Sequence, residues 1–236
     1  MGKTPKYHRF GRLLDAAMKQ IGTSLIESLR GIFEIGIAFV TPFLRSRRLR
    51  WGATAEEIEN SYPGDELVPE SKWTANHAIS IKATAEQVWP WIIQIGQGRG
   101  GFYSYQMLEN LAGCKIENTS QILKKHQNLR VGDPIKIHVE GPPMKVAIIE
   151  KPKALVLYGN PAGADDSVMV STSWAFLLLE QPGGTLRLLS RTRYYHNENF
   201  RSKLMGGQVL IEPISFVMER KMLKVIKSLV ESQFSG

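Results

Sequence analysis

The sequence predicts an α+β domain: one strand, two short helices, five or six further antiparallel strands, and a long C-terminal helix. Three observations carry this. Two alternating runs, 171–180 and 185–195, flank Gln181-Pro182-Gly183-Gly184, the clearest hairpin signal in the chain. Ile214, Met218, Met222, Val225 and Leu229 recur at helical spacing within about residues 205–231. Between these ends the strands cluster apart from the helices, as in α+β proteins.

The N-terminal 50 residues read as a separate segment. Leu14, Met18, Ile21, Leu25, Leu29 and Ile32 recur three or four apart, an amphipathic helix pattern that runs into an apolar stretch at 31–44 and stops at RSRRLR, 45–50. A membrane span needs about 20 apolar residues. This run is shorter and carries Glu34, and extending it backwards takes in Glu27 and Arg30. The segment therefore suits a helix lying in a membrane interface better than a span. A helix packed on its own domain or on a partner fits the same pattern. No early apolar region with a small-residue cleavage site marks a signal peptide.

Residues 51–72 read as a connector. Thr54 and Glu57 make a capping box for a short helix, and Pro63, Gly64 and Pro69 end it and keep the chain irregular up to the first strand. The domain boundary is placed here, which gives segments 1–50, 51–72 and 73–236.

The first strand is read at 73–82. Thr84 and Gln87 then cap a helix whose apolar face holds Val88, Trp91, Ile92 and Ile95, with Pro90 expected to kink or shorten it. Gly96, Gly98 and Gly101 match G-x-G-x-x-G. A dinucleotide site needs that motif to leave a strand and open a helix. Here it leaves a helix, so the reading is a tight helix-to-helix turn with positive φ angles. A second short helix spans about 105–111, closed by Gly113. Ile135, Ile137 and Val139 alternate as a strand. Residues 144–150 and 154–158 flank Lys151-Pro152-Lys153 as a hairpin, and 159–166 form a loop.

Composition excludes several classes. The 236 residues are 43% hydrophobic, too apolar for wholesale disorder. One cysteine, Cys114, forbids an intramolecular disulfide, and no C-x-x-C is present. The net charge of +8 divides unevenly: 10 Lys/Arg against 3 Asp/Glu in residues 1–50, leaving 20 against 19 in the rest. The domain itself is nearly neutral, so nucleic acid is not an expected partner. An anionic membrane surface, met through residues 1–50, is. The five histidines form no close ligand spacing, and H-E-x-x-H, G-x-S-x-G and the P-loop are absent. No metal or cofactor is expected. The Asn118-Thr119-Ser120 sequon matters only in a secreted protein. The expected setting is cytoplasmic, peripheral to or anchored at a membrane.

The stretch VWPWIIQIGQGRGGFYSYQMLENLAG, preceded by WGAT and YPGDELVP, resembles the START-like helix-grip superfamily. It is most similar to the polyketide cyclase/dehydrase and lipid-transport branch, often called SRPBCC. The resemblance runs from about Trp51 to the C-terminus. It implies a curved antiparallel sheet of about six to seven strands wrapped around the C-terminal helix, with two short helices after the first strand. It also implies a partly hollow core.

In such a core, residues that otherwise read as packing line a ligand cavity. The candidates are Trp91, Phe102, Tyr103, Tyr105, Trp174, Phe176, Met218 and Met222. Polarity is sought in Arg191, Tyr194 and His196, at the end of the last strand, where alternation separates Arg191 from Tyr194 and His196. Arg99, flanked by glycines, is either a guard at the pocket mouth or an exposed side chain. Three functions remain open: binding or transport of a lipophilic small molecule, a cofactor-independent cyclase/dehydratase-type enzyme, and a membrane-associated structural adaptor.

Overall fold

The computed structural model describes residues 6–160, 167 and 169–234, with side chains from residue 22 onward. The side chains at the expected stripe positions Leu14, Met18 and Ile21 lie outside those described, as do residues 161–166 of the expected loop.

The chain opens with helix α1 (Lys6–Val40), then α2 (Arg45–Leu49) and α3 (Ala55–Glu59). Strand β1 (Trp73–Ile81) leads into α4 (Ala85–Ile93) and α5 (Gln106–Leu111). Strands β2 (Pro134–Ile135), β3 (Met144–Glu150), β4 (Ala154–Gly159), β5 (Val170–Gln181) and β6 (Thr185–His196) come next. The chain ends with α6 (Phe200–Gly206) and α7 (Ile211–Phe234). The six strands form one antiparallel sheet in the order β1-β6-β5-β4-β3-β2.

Local sequence explains several of these elements. Both capping boxes form: Thr54 and Glu57 exchange backbone and side-chain hydrogen bonds at 3.1 and 2.8 Å, and Thr84 and Gln87 do the same for α4. Pro90 lies inside α4, which lasts nine residues. The glycine-rich turn leaves this helix, and Gly96, Gly98 and Gly101 all have positive φ. A Cβ on Gly101 would meet Asn118 Oδ1 at 2.3 Å, so both backbone angle and space demand glycine there.

The sheet separates two layers. One face carries Phe176, Leu178, Leu186 and Leu188 against α4 and against Met222, Leu223, Ile226 and Val230 of α7. The other face buries Ala78, Val156, Ala175, Leu177 and Leu189 under the 51–72 connector, through Ala53, Tyr62 and Leu67.

Three expectations need correction. The strand expected through Ile137 and Val139 stops at Ile135, because β3 begins at Met144 and pairs back onto Ile135. Pro142 and Pro143 cannot donate to a ladder and instead form part of a cavity rim. The single C-terminal helix is two: Gly207 turns extended (φ −81°, ψ 156°), where a Cβ would strike Lys203 O at 2.0 Å. Pro213 sits in the first turn of α7, where its missing N–H costs nothing. The α7 stripe is also rotated. Val217, Leu223, Ile226 and Val230 face the core, and Val225 and Leu229 are only half-buried.

Helix α1 packs on α5 and α7 through small residues. Ser28, Gly31 and Ala38 are buried, and Gly31 leaves no room for a Cβ beside Leu108 and Tyr105. Its apolar stripe faces outward: Ile26, Leu29 and Phe33 are 69%, 58% and 67% exposed. The charges that argued against a span hold the helix in place. Glu27 pairs with Lys221 at 2.6 Å, and Glu34 with Arg220 at 2.7 Å.

Candidate functional site

A cavity of about 670 Å³ opens between the sheet and α7. Strands β5 and β6 supply its floor through Trp174, Thr192 and Tyr194. Helix α7 covers it with Ile214, Met218 and Met222. Around its mouth stand Ile32 and Ile35 of α1, Leu108 and Ala112 at α5, and Met205 of α6. Methionines on the covering helix let the wall adapt its shape. The cavity has the size and apolar lining of a small-molecule site.

A few polar groups converge on it. Glu219 of α7 is 7% exposed and lines the wall. Its carboxylate accepts from Ser190 Oγ at 3.1 Å and Thr192 Oγ1 at 3.3 Å, and meets His77 Nδ1 at 2.8 Å. His77 Nε2 faces the Arg48 carbonyl at 3.0 Å, which can only accept. Nε2 therefore donates there. Trp174 Nε1 donates to Ser190 Oγ at 2.9 Å, joining the cavity floor to the same network.

Glu109 of α5 differs. It also lines the cavity and is 8% exposed, but its Oε2 is buried without any hydrogen-bond partner. Burial pushes its carboxyl from the ordinary 4.5 up to about 7. Cys114, on the same wall, has its thiol pushed up by burial and by the charge of Glu109.

The structure distributes the sequence candidates unevenly. Phe102, Trp174, Met218, Met222 and Tyr194 border the cavity together, and Phe102 and Trp174 lie 6.2 Å apart, centroid to centroid. Trp91 and Phe176 are fully buried in the packed core and are not among the residues that line it. Tyr103 turns away: its hydroxyl accepts from Gln94 at 2.7 Å and donates to Trp91 O at 3.3 Å. Tyr105 instead binds α1, donating to Glu34 Oε2 at 3.1 Å, and burial with that carboxylate pushes its hydroxyl to about 12. Tyr103 and Tyr105 border a second, more polar hollow of about 360 Å³.

The last-strand trio splits by alternation. Tyr194 faces the cavity and stacks on Trp73 at 4.1 Å, and burial raises its hydroxyl pKa. Arg191 faces the connector, bonding Asp65 at 2.8 Å and Asn76 at 2.8 Å. His196, at the strand end, has Nδ1 3.0 Å from Asn197 O and stands outside the cavity wall. Arg99 neither guards a mouth nor lies free. It donates to Ile95 O at 3.1 Å and Ile93 O at 2.7 Å, satisfying carbonyls at the end of α4. Among the described residues, no group of three or more His, Cys, Asp or Glu is placed to hold a metal ion.

Sequence reasoning missed Glu109, Glu219 and His77. The usable signal was a carboxylate inside each apolar helix face: Glu109 beside Leu108, and Glu219 between Met218 and Met222.

No family model and no curated protein matches the chain. Solved structures do. Protein MLL2253 from Mesorhizobium loti is 15% identical with a TM-score of 0.41, covering 68% of this chain and 98% of its own. Truncated norcoclaurine synthase from Thalictrum flavum is 16% identical at 0.41, covering 67% and 92%. Hypothetical protein jhp0584 from Helicobacter pylori is 11% identical at 0.42, covering 71% and 94%. The chain's own six-stranded antiparallel sheet, packed against the long terminal helix, is a helix-grip fold.

Proposed function

We propose that this protein binds a lipophilic small molecule in the cavity between its sheet and α7. One observation carries the reading: an apolar-walled space of about 670 Å³ left open in an otherwise packed core. Protein interiors normally pack to crystal-like density, so an unfilled apolar volume of this size marks a binding site. A structural adaptor has no use for it. A cyclase-type enzyme would have to work without Arg191 and His196, which lie elsewhere. Native mass spectrometry of the purified chain tests the reading directly. A co-purifying apolar ligand, displaced by the neutral dye Nile red, is expected. A chain that carries no ligand and binds no Nile red refutes it.

The outward face of α1 supports a location. Exposed apolar stripes of this extent mark interaction surfaces. Ile32, on that face, also borders the cavity mouth. Arg47 and Arg50 lie beyond it, at and just after the end of α2, with Arg50 exposed. We infer that α1 lies against an anionic bilayer, with the mouth turned toward it. Among the described residues no helix is long and apolar enough to cross a membrane. Removing residues 1–50 would be a poor test, because Arg48 bonds both oxygens of buried Glu212, at 2.7 and 2.9 Å. Replacing Ile26, Leu29 and Phe33 together by Asp leaves these contacts intact. The triple variant should lose binding to phosphatidylserine vesicles, and unchanged binding would end the membrane reading.

A further inference from the structure

The cavity contains an unusual imbalance. Two carboxyl groups, Glu109 and Glu219, face it, and no lysine, arginine or histidine is among the described residues that line it. Glu219 is satisfied by three neighbours within the protein, Ser190, Thr192 and His77. Glu109 is not: it is more than nine-tenths buried, and its Oε2 lacks a partner. Native proteins keep few such groups, because an unpaired buried polar atom costs about 1–3 kcal/mol. The methyl and methylene surface that shares this wall, from Leu108, Ala112, Ile137 and Met144, offers it nothing. No described residue supplies the missing partner.

We propose that Glu109 is the headgroup-recognition residue of this cavity, and that its ligand is a lipophilic amine rather than a fatty acid. The inference rests on the cavity reading above. A carboxylate ligand would place a third acidic group in a space without a cationic side chain. It would find neither a counter-charge nor, at Glu109, a donor once that group is ionised. An ammonium supplies both. It donates a charge-assisted hydrogen bond to Glu109 and leaves a paired charge where the apo protein has an unpaired one. The apolar tail lies along Phe102, Trp174 and Met222, where the wall is soft and aromatic. Burial that raises the Glu109 carboxyl to about 7 has the same origin, since its surroundings provide no stabilisation for the charge.

The test uses the full-length protein with Nile red as a neutral reporter. Dodecylamine and sodium dodecanoate, equal in chain length, compete against the dye below their micellar concentrations. The amine is expected to displace Nile red from the wild type at roughly tenfold lower concentration than the dodecanoate, or better. In Glu109→Gln, with each competitor read against that variant's own Nile red affinity, the amine's advantage should fall by about tenfold. Circular dichroism reports that the variant folds. If the variant does not fold, the wild-type comparison decides alone. A dodecanoate that competes as well as the amine overturns the inference. So does a Glu109→Gln protein that keeps the amine preference. In both cases continued dye binding leaves the cavity reading standing. Absence of dye binding to the wild type overturns the cavity reading itself, and the inference with it.

Discussion

Replacing Glu109 by methionine should stabilise the empty protein, and do so most at alkaline pH. The wild-type carboxyl has an ordinary value of 4.5 when unfolded and about 7 when folded. Between those values the folded state binds more protons than the unfolded state. Stability therefore falls as pH rises through this window, and the loss is complete above about pH 7. The displacement corresponds to roughly 3 kcal/mol at the upper limit. Methionine has no charge to bury, so Glu109→Met escapes this penalty. For a chain of this size, about 3 kcal/mol moves Tm by about 6–12 °C.

The assay is thermal unfolding of both proteins, delipidated, at pH 4 and pH 8. At pH 4 the carboxyl is neutral in the folded state, and the main cost left is that of an unpaired neutral group, about 1–3 kcal/mol. At pH 8 the gap should widen by several degrees. A gap that is equal at the two pH values would show that the Glu109 carboxyl is not desolvated in the folded protein. A variant less stable than wild type at pH 8 would show that Glu109 has a structural partner. Either result removes the argument that its partner is the ligand.

Other consequences come from the same geometry. Trp174→Asp or Met222→Asp places a charge on the apolar wall and should abolish Nile red binding, measured by fluorescence titration, while circular dichroism remains that of a folded domain. Arg48→Met leaves Glu212 buried and without its bidentate partner, and should cost about 3–5 kcal/mol in urea unfolding, with Arg48→Met/Glu212→Met recovering most of it. Cys114 lines the cavity, so a bound ligand should slow its alkylation by iodoacetamide, monitored by intact-protein mass spectrometry. An alkylation rate indifferent to saturating ligand would place the ligand elsewhere.

The fold was legible in the sequence because its signals are local. The two capping boxes need only residues three apart, and both form. The Pro182-Gly183-Gly184 turn joins strands of twelve residues each, in register from Val170 opposite His196 to Gln181 opposite Thr185. The glycine turn needed only the order of elements around it to reject a nucleotide site. The break at Gly207 was harder. It depends on β5 and β6 pressing on Gly206, where a Cβ would meet Val170 at 3.0 Å. Nothing within the 205–231 stripe announces that contact.

The site was half legible, and the reason is the same at each missed residue. Periodicity says which residues share a face, but not what that face meets. In α1 the apolar stripe was plain, yet the face turned inward is Ser28, Gly31 and Ala38, because close approach to Tyr105 and Leu108 requires small side chains. In β6 alternation correctly separated Arg191 from Tyr194, but the connector, not the cavity, claims the arginine. His77 looked solitary because its partners, Glu219 and the Arg48 carbonyl, are 142 and 29 residues away. Glu109 looked like an ordinary surface carboxylate on a short helix. Its meaning comes from what the fold withholds: α5 turns it into an apolar space, and no donor reaches its Oε2. A sequence can show that a charged residue is present. Only the assembled walls show that it has been left unpaired, and that difference separates a solvated glutamate from one that awaits a ligand's ammonium.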